Sequence, residues 1–200
     1  MTNSIAERVE AMRCFLRRNG LCAFIIPSTD PHQGEYVPAH WQTRQWISGF
    51  DGSAGTAVVT LTDAALWTDS RYFIAAAKQL EGTPFKLMKE GQSETPSIED
   101  WICKQLKEGE VVGIDGELLP LEGEDGWGSA FNKAGIKLRT DLDPAEELWT
   151  DRPPIPKNKV EIQPLEFAGE TAESKIERVR QALKEQKADY ILISQLDNIA

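Results

Sequence analysis

The chain is poor in the residues that most often announce a chemistry. It has three cysteines and two histidines in 200 residues, and 22 basic side chains against 32 acidic ones, for a net charge of −10. Cys14, Cys22 and Cys103 are odd in number and irregularly spaced. They suit a reducing compartment and apolar packing better than a disulfide framework or a zinc site. His32 and His40 fit neither an HExxH helix nor a Cys/His cluster, so the sequence argues against a transition-metal site held by this chain. The deficit of positive charge argues against nucleic-acid or anionic-membrane partners. No apolar run approaches the roughly 20 residues that a membrane span requires. MTNSIAERVEAMRCF has no apolar secretory core and reads as the start of a helix. The expectation is a cytoplasmic α/β protein with a packed core, since hydrophobic residues make up 40 % of the chain.

What is present is organised around WISGFDGSAGTAVVTLTDAALWTDSRYF, residues 46–73. Thr56–Leu61 and Ala64–Trp67 are short β-prone runs joined by Thr62-Asp63, which predicts a hairpin. Asp69 is placed to cap a helix running from about Ser70 to Leu80, which puts Arg71 at a strand-to-helix junction. Upstream, Ser4 and Glu7 have capping-box spacing; Ile5, Val9, Met12 and Leu16 form one helical stripe; Gly20 suits a left-handed cap. Cys22–Ile26 reads as a buried strand. Residues 31–46 read as a loop and a short helix. Downstream, strands are predicted at Phe85–Lys89, Val111–Asp115 and Ile136–Arg139. A helix opens at Thr95-Pro96, and a glycine-broken helical stretch ends at Gly135. Alternation of this kind indicates α/β layers, and the hairpin makes the sheet mixed.

Arg152–Asn158 is proline-rich and reads as a linker. After it Thr171 takes the part of Ser4, Ile176, Val179 and Leu183 repeat the apolar stripe, and Tyr190–Ser194 repeats the first strand. Two readings fit this: a tandem duplication, or the common opening of any α/β unit. One helix and one strand cannot close a core. The expected organisation is a domain over 1–155, then a linker and the truncated start of a second over 156–200.

Several motifs look chemical and have simpler readings. Gly49, Gly52 and Gly55 match neither GxxxxGK[ST] nor GxGxxG, and read as a tight bend. Ser28, Asp30 and His32 lie within five residues of a turn, without the separate elements from which triads converge. Glu146-Glu147, and Glu122, Glu124 and Asp125, read as solvated helix ends. Arg71 keeps two readings, a surface salt bridge or a donor fork for a carboxylate or carbonyl.

The motifs Ile26-Pro27-Ser28-x-Asp30-x-His32-x-x-Glu35-Tyr36, Ile47-Ser48-Gly49-Phe50-x-Gly52-Ser53-Ala54-Gly55-Thr56-Ala57 and Trp67-Thr68-Asp69-x-Arg71-Tyr72-Phe73 together resemble the N-terminal region of Xaa-Pro aminopeptidase, the long three-domain form in peptidase family M24. The likeness extends through Trp149–Pro153 to Leu196-Asp197-x-Ile199-Ala200. It implies two creatinase-like domains of ribonuclease H-like α/β fold, followed by a catalytic domain absent from this chain. It also implies cleavage of the residue preceding a proline, at a dinuclear manganese site (two Mn2+) in that missing domain. The chain alone is then expected to be inactive, with no catalytic residue and no metal ligand of its own. Its implied partners are peptides with proline at the second position, its own catalytic domain, and a second copy in a homodimer. Arg71 matches the family's substrate-binding arginine, the one functional residue the resemblance carries over. Ser70 departs from a frequent glycine. The rival reading is a non-catalytic protein-binding module of a peptidase-like pseudo-enzyme, to which an acidic surface would suit a basic partner.

Overall fold

The computed structural model describes residues 4–199, and Ala200 of the last matching motif lies outside them. The chain divides into two compact units, through Ile155 and from Pro156.

The first unit opens with α1 (Ile5–Asn19), whose capping box is complete. The Ser4 hydroxyl accepts from the Glu7 amide at 3.3 Å, and the Glu7 carboxylate takes the Ser4 amide at 2.7 Å. Gly20, with φ +68°, closes the helix in the left-handed conformation. β1 (Ala23–Ile26) follows, and the loop after it carries one 3₁₀ turn before α2 (Thr43–Ser48). The hairpin forms from β2 (Thr56–Thr60) and β3 (Ala64–Thr68). Then come α3 (Phe73–Gln79), β4 (Phe85–Lys89), α4 (Ile98–Cys103) and β5 (Val111–Ile114). The glycine-broken stretch is α5 (Leu121–Gly123), a π turn over Glu124–Gly128, and α6 (Ser129–Lys133). β6 (Lys137–Arg139) and α7 (Pro144–Leu148) complete the unit.

The six strands lie in the order β4-β3-β2-β1-β5-β6. β2 runs antiparallel to both its neighbours; the other pairs are parallel. Five strands therefore end at the same edge of the sheet, and the reversed strand β2 begins there. Period-two alternation sorts the side chains onto two faces. Phe24, Ile26, Val59 and Leu66 pack with Val9, Met12 and Leu16 of α1 and Ala76 of α3. Ile25, Val58, Trp67 and Val112 pack with Ile98 and Ile102 of α4 and Phe131 of α6. The result is a helix–sheet–helix sandwich around a mixed sheet.

Two expectations need correcting. The helix expected to open at Thr95-Pro96 is instead capped by Ser97, whose hydroxyl accepts from the Asp100 amide at 3.1 Å, and it spans Ile98–Cys103. The helix end read at Glu146-Glu147 is the first turn of α7, which Asp143 caps and Pro144 opens. In the second unit, Thr171 caps α9 (Ala172–Glu185), which follows the single turn α8 (Leu165–Ala168) and precedes α10 (Leu196–Ile199). The strand expected at Tyr190–Ser194 forms no ladder. A strand exists only with a neighbour to take its amides and carbonyls, and the described residues of this unit supply none.

Gly113 in β5 lies opposite Phe24, and a Cβ there would stand 2.6 Å from the Phe24 ring. The bare backbone makes room for that ring, which meets Phe15 edge-to-face at 6.5 Å. Gly113→Val is expected to destabilise the protein by about 1–3 kcal/mol through overpacking. Thermal or urea unfolding reads this directly, and an unchanged midpoint would contradict the packing described.

Candidate functional site

In open α/β sheets, ligand-binding groups collect where the strands present their carboxyl ends. Here that edge receives the loop after β1, the bend before β2 and the turn after β3. Arg71 stands in the last of these.

The local structure around Arg71 differs from the expected helix cap. Asp69 caps no helix. Its Oδ1 accepts the Arg71 amide at 2.9 Å, closing an Asx turn, and α3 starts only at Phe73. Asp69 then uses both oxygens on the arginine it has just turned outward: Nε donates to Oδ1 at 3.0 Å and Nη2 to Oδ2 at 2.7 Å. This two-point grip holds the Asp69 carboxyl below its ordinary range and raises the Arg71 guanidinium. The Arg71 side chain is still 66 % exposed. Its Nη1 edge has no protein acceptor among the described residues. The surface salt bridge expected of Arg71 is present, and it occupies only the Nε and Nη2 side of the donor fork. Glu90 follows β4 on the same edge, and partial burial together with the Asp69 charge raises its carboxyl.

The adjoining bend, Gly49–Gly55, is held from within by a residue that the sequence reading did not single out. Arg44 of α2 is 6 % exposed and has no carboxylate salt-bridge partner among the described residues. Its Nε donates to Ser28 Oγ at 2.7 Å, Nη1 to the Phe50 carbonyl and Nη2 to the Gly52 carbonyl, with the guanidinium 4.8 Å over the Phe50 ring. Burial lowers its pKa to about 10, so it remains charged at neutral pH. Ser28 passes the network on, donating to the Gly55 carbonyl at 2.5 Å, and Thr68 Oγ1 holds the Ala54 carbonyl at 2.7 Å. The glycines serve close packing. A Cβ on Gly52 would fall 2.3 Å from Phe50, and one on Gly55 would fall 2.7 Å from the Trp67 carbonyl. The clamp fixes Ser53, whose hydroxyl meets the Tyr72 hydroxyl at 2.7 Å. That contact holds the Tyr72 phenol below its ordinary value and ties the bend to the Arg71 turn. A signal for Arg44 existed in the sequence: no acid stands three or four residues away in either direction, and Ile47 follows on the same stripe.

The remaining sequence candidates do not converge. Ser28 is engaged as described; Asp30 accepts from the backbone amides of His32 and Gly34 at 2.9 and 3.3 Å. His40 Nδ1 lies 2.7 Å from the Pro153 carbonyl, which makes that nitrogen the donor, while Arg152 Nε donates to the His40 carbonyl at 2.8 Å. Asp115, at the end of β5, is buried enough to raise its carboxyl to about 6, and it caps the following turn through the Glu117 amide at 3.0 Å. Among the described residues, no three acidic, histidine or cysteine side chains are grouped to hold a metal.

Replacing the Arg44 guanidinium strands two carbonyls and Ser28. Arg44→Leu is therefore expected to cost about 3 kcal/mol, with Arg44→Lys recovering only part of it because an ammonium lacks the planar fork. Unfolding of the two variants against the parent chain checks this, and equal midpoints would refute the clamp.

Known proteins resemble this chain in sequence and in fold. A family model described as "Creatinase/Prolidase N-terminal domain" matches residues 8–144, and a second of the same description matches residues 151–200. The chain is 44 % identical to the Xaa-Pro aminopeptidase ApepP of Drosophila melanogaster, over 90 % of this chain and 30 % of that protein. It is 40 % identical to aminopeptidase P1 of Arabidopsis thaliana, over 98 % of this chain and 30 % of that one. The crystal structure of the X-prolyl aminopeptidase of Caenorhabditis elegans, described as a cytosolic enzyme with a di-nuclear active site, superposes with a TM-score of 0.85. Identity there is 32 %, over 98 % of this chain and 34 % of that one. The chain thus spans about a third of the length of these relatives. The mixed six-stranded sheet, the ordered motifs at its carboxyl edge and these matches lead to one conclusion: the chain belongs to the creatinase/prolidase N-terminal domain family.

Proposed function

We propose that this chain is the N-terminal region of a metal-dependent Xaa-Pro aminopeptidase, and that it contributes to substrate binding rather than to the chemical step. The observation that carries the reading is Arg71. Its guanidinium is held by Asp69 on one edge, free on the other, and displayed at the carboxyl edge of a rigid sheet. A fork gripped in this way has lost rotamer freedom before any ligand arrives, so less is lost on binding. Its free edge suits a peptide carbonyl or carboxylate. The similarity to Xaa-Pro aminopeptidases over nearly the whole chain supports peptides with proline at the second position as the substrate class.

In this reading residues 1–155 form a first creatinase-like domain that borders the entrance to the active site, and residues 156–200 link it to a second. The dinuclear metal site, with manganese as the proposed metal, belongs to a catalytic domain outside this chain; the described residues group no ligands for it. That metal supplies the activated water for peptide hydrolysis. The part played by this chain is to bind and orient. The enzyme is proposed to act in the cytoplasm as a homodimer, in keeping with the cytosolic description of the Caenorhabditis elegans relative.

In the full-length enzyme, Arg71→Ala is expected to lower kcat/KM on a Xaa-Pro peptide by about 10–100-fold while metal content stays the same. Steady-state kinetics with metal analysis decides it, and unchanged kcat/KM would remove Arg71 from the proposal. The 200-residue chain supplied with manganese is expected to show no turnover of the same peptide. Metal-dependent hydrolysis by the pure chain would overturn the assignment of a binding role alone.

A further inference from the structure

Beside the Arg71 turn lies a pocket of about 250 Å³ that the reading above leaves unused. Its walls include Glu35, Tyr36, Trp41, Gln42 and Asp51, and it reaches Ser53, the residue hydrogen-bonded to Tyr72. The volume falls just below the usual range for whole small-molecule ligands and suits one long side chain.

The chemistry of the walls narrows what that side chain is. Arg44 also borders the pocket, but its three nitrogens are already bonded inward, to Ser28, Phe50 and Gly52. The Glu35 carboxylate has no protein partner among the described residues, and Asp51 has one side-chain contact, from Gln79 Nε2 at 2.7 Å. These three charges sum to one negative. An anionic side chain entering here would meet two carboxylates and an arginine with its donors committed. An aliphatic one would desolvate both carboxylates without pairing them. An alkyl-guanidinium or alkyl-ammonium group can pair with these acids, and Trp41 and Tyr36 in the same lining offer apolar surface to its stem.

We propose that this pocket is a side-chain subsite for a basic residue, arginine or lysine, of a bound peptide. Occupancy of the pocket stands independently of the peptidase reading; only its use in selecting substrates rests on that reading. Through Ser53 the subsite adjoins the Arg71 turn, so a peptide held at Arg71 would place a neighbouring basic side chain in reach of Glu35 and Asp51.

The test is a titration of the 200-residue chain with N-acetyl-arginine amide, N-acetyl-glutamine amide and N-acetyl-glutamate amide. The reporters are the Trp41 indole and Gln42 side-chain amide resonances. The arginine compound is expected to give saturable shifts in the millimolar range, with the other two binding about tenfold more weakly or not at all. The double variant Glu35→Gln, Asp51→Asn is expected to bring arginine down to the glutamine level while its thermal midpoint stays close to that of the parent. Equal shifts for all three compounds, no shifts up to about 50 mM, or shifts that survive the double substitution would each overturn the subsite. In the full-length enzyme, the preference in kcat/KM for Xaa-Pro peptides carrying arginine over glutamine further along is expected to fall towards one in the double variant. A positive titration with an enzyme that turns over no Xaa-Pro peptide would count against the peptidase reading and leave the subsite standing.

Discussion

A buried guanidinium balanced by backbone carbonyls, rather than by a carboxylate, is the interaction on which the carboxyl edge of this sheet depends. Arg44 reaches Phe50 and Gly52 within the bend and Ser28 at the end of β1. Without it those carbonyls would face a dry interior, and an unpaired buried carbonyl costs about 1–3 kcal/mol. Each polar contact further out is built on this one. Ser28 continues it to Gly55, Ser53 reaches Tyr72, and Tyr72 stands between the bend and the arginine fork. Precision at an exposed residue such as Arg71 thus comes from a fully buried one nearby.

The topology explains why so much converges on that edge. A sheet of parallel strands alone would bring only strand ends there. Reversing β2 brings a strand start to the same place, and with it the bend that must precede that strand. The hairpin also sets β3 parallel to β1, so the turn after β3 and the loop after β1 emerge side by side with the bend between them. The single reversed strand therefore keeps both ends of the β1–β2 connection at one edge, next to the turn after β3.

Much of this was legible in the sequence because the signals were local. The Ser4–Glu7 box, the Gly20 cap, the Thr62-Asp63 turn and the alternating apolar runs each specify their own backbone within a few residues. The misreadings occurred where one residue type serves two geometries. Asp69 and Thr95 are both good helix caps and good turn formers, and the start of the packed helix decides which role applies. At Asp69 the decision went to an Asx turn, which is what aims Arg71 outward. Arg44 was passed over for another reason. Two of its three partners are carbonyls, which every residue has, and the third is a serine hydroxyl, so no complementary charge marks the contact in the sequence. The strand expected at Tyr190–Ser194 needs a neighbour that its own residues cannot specify.

The carbonyl clamp gives the edge an unequal response to acid. Asp69 owes its depressed pKa to Arg71, so the ion pair contributes only above that depressed value and is lost as pH falls through it. The Arg44 network contains no group that protonates on acidification, and its guanidinium holds its charge up to about pH 10. As pH drops, the outward fork loosens first while the bend beneath it keeps its shape. The anchoring of the Arg71 side chain is thereby uncoupled from the clamp beneath it, since acid removes the Asp69 charge and touches no bond that Arg44 makes.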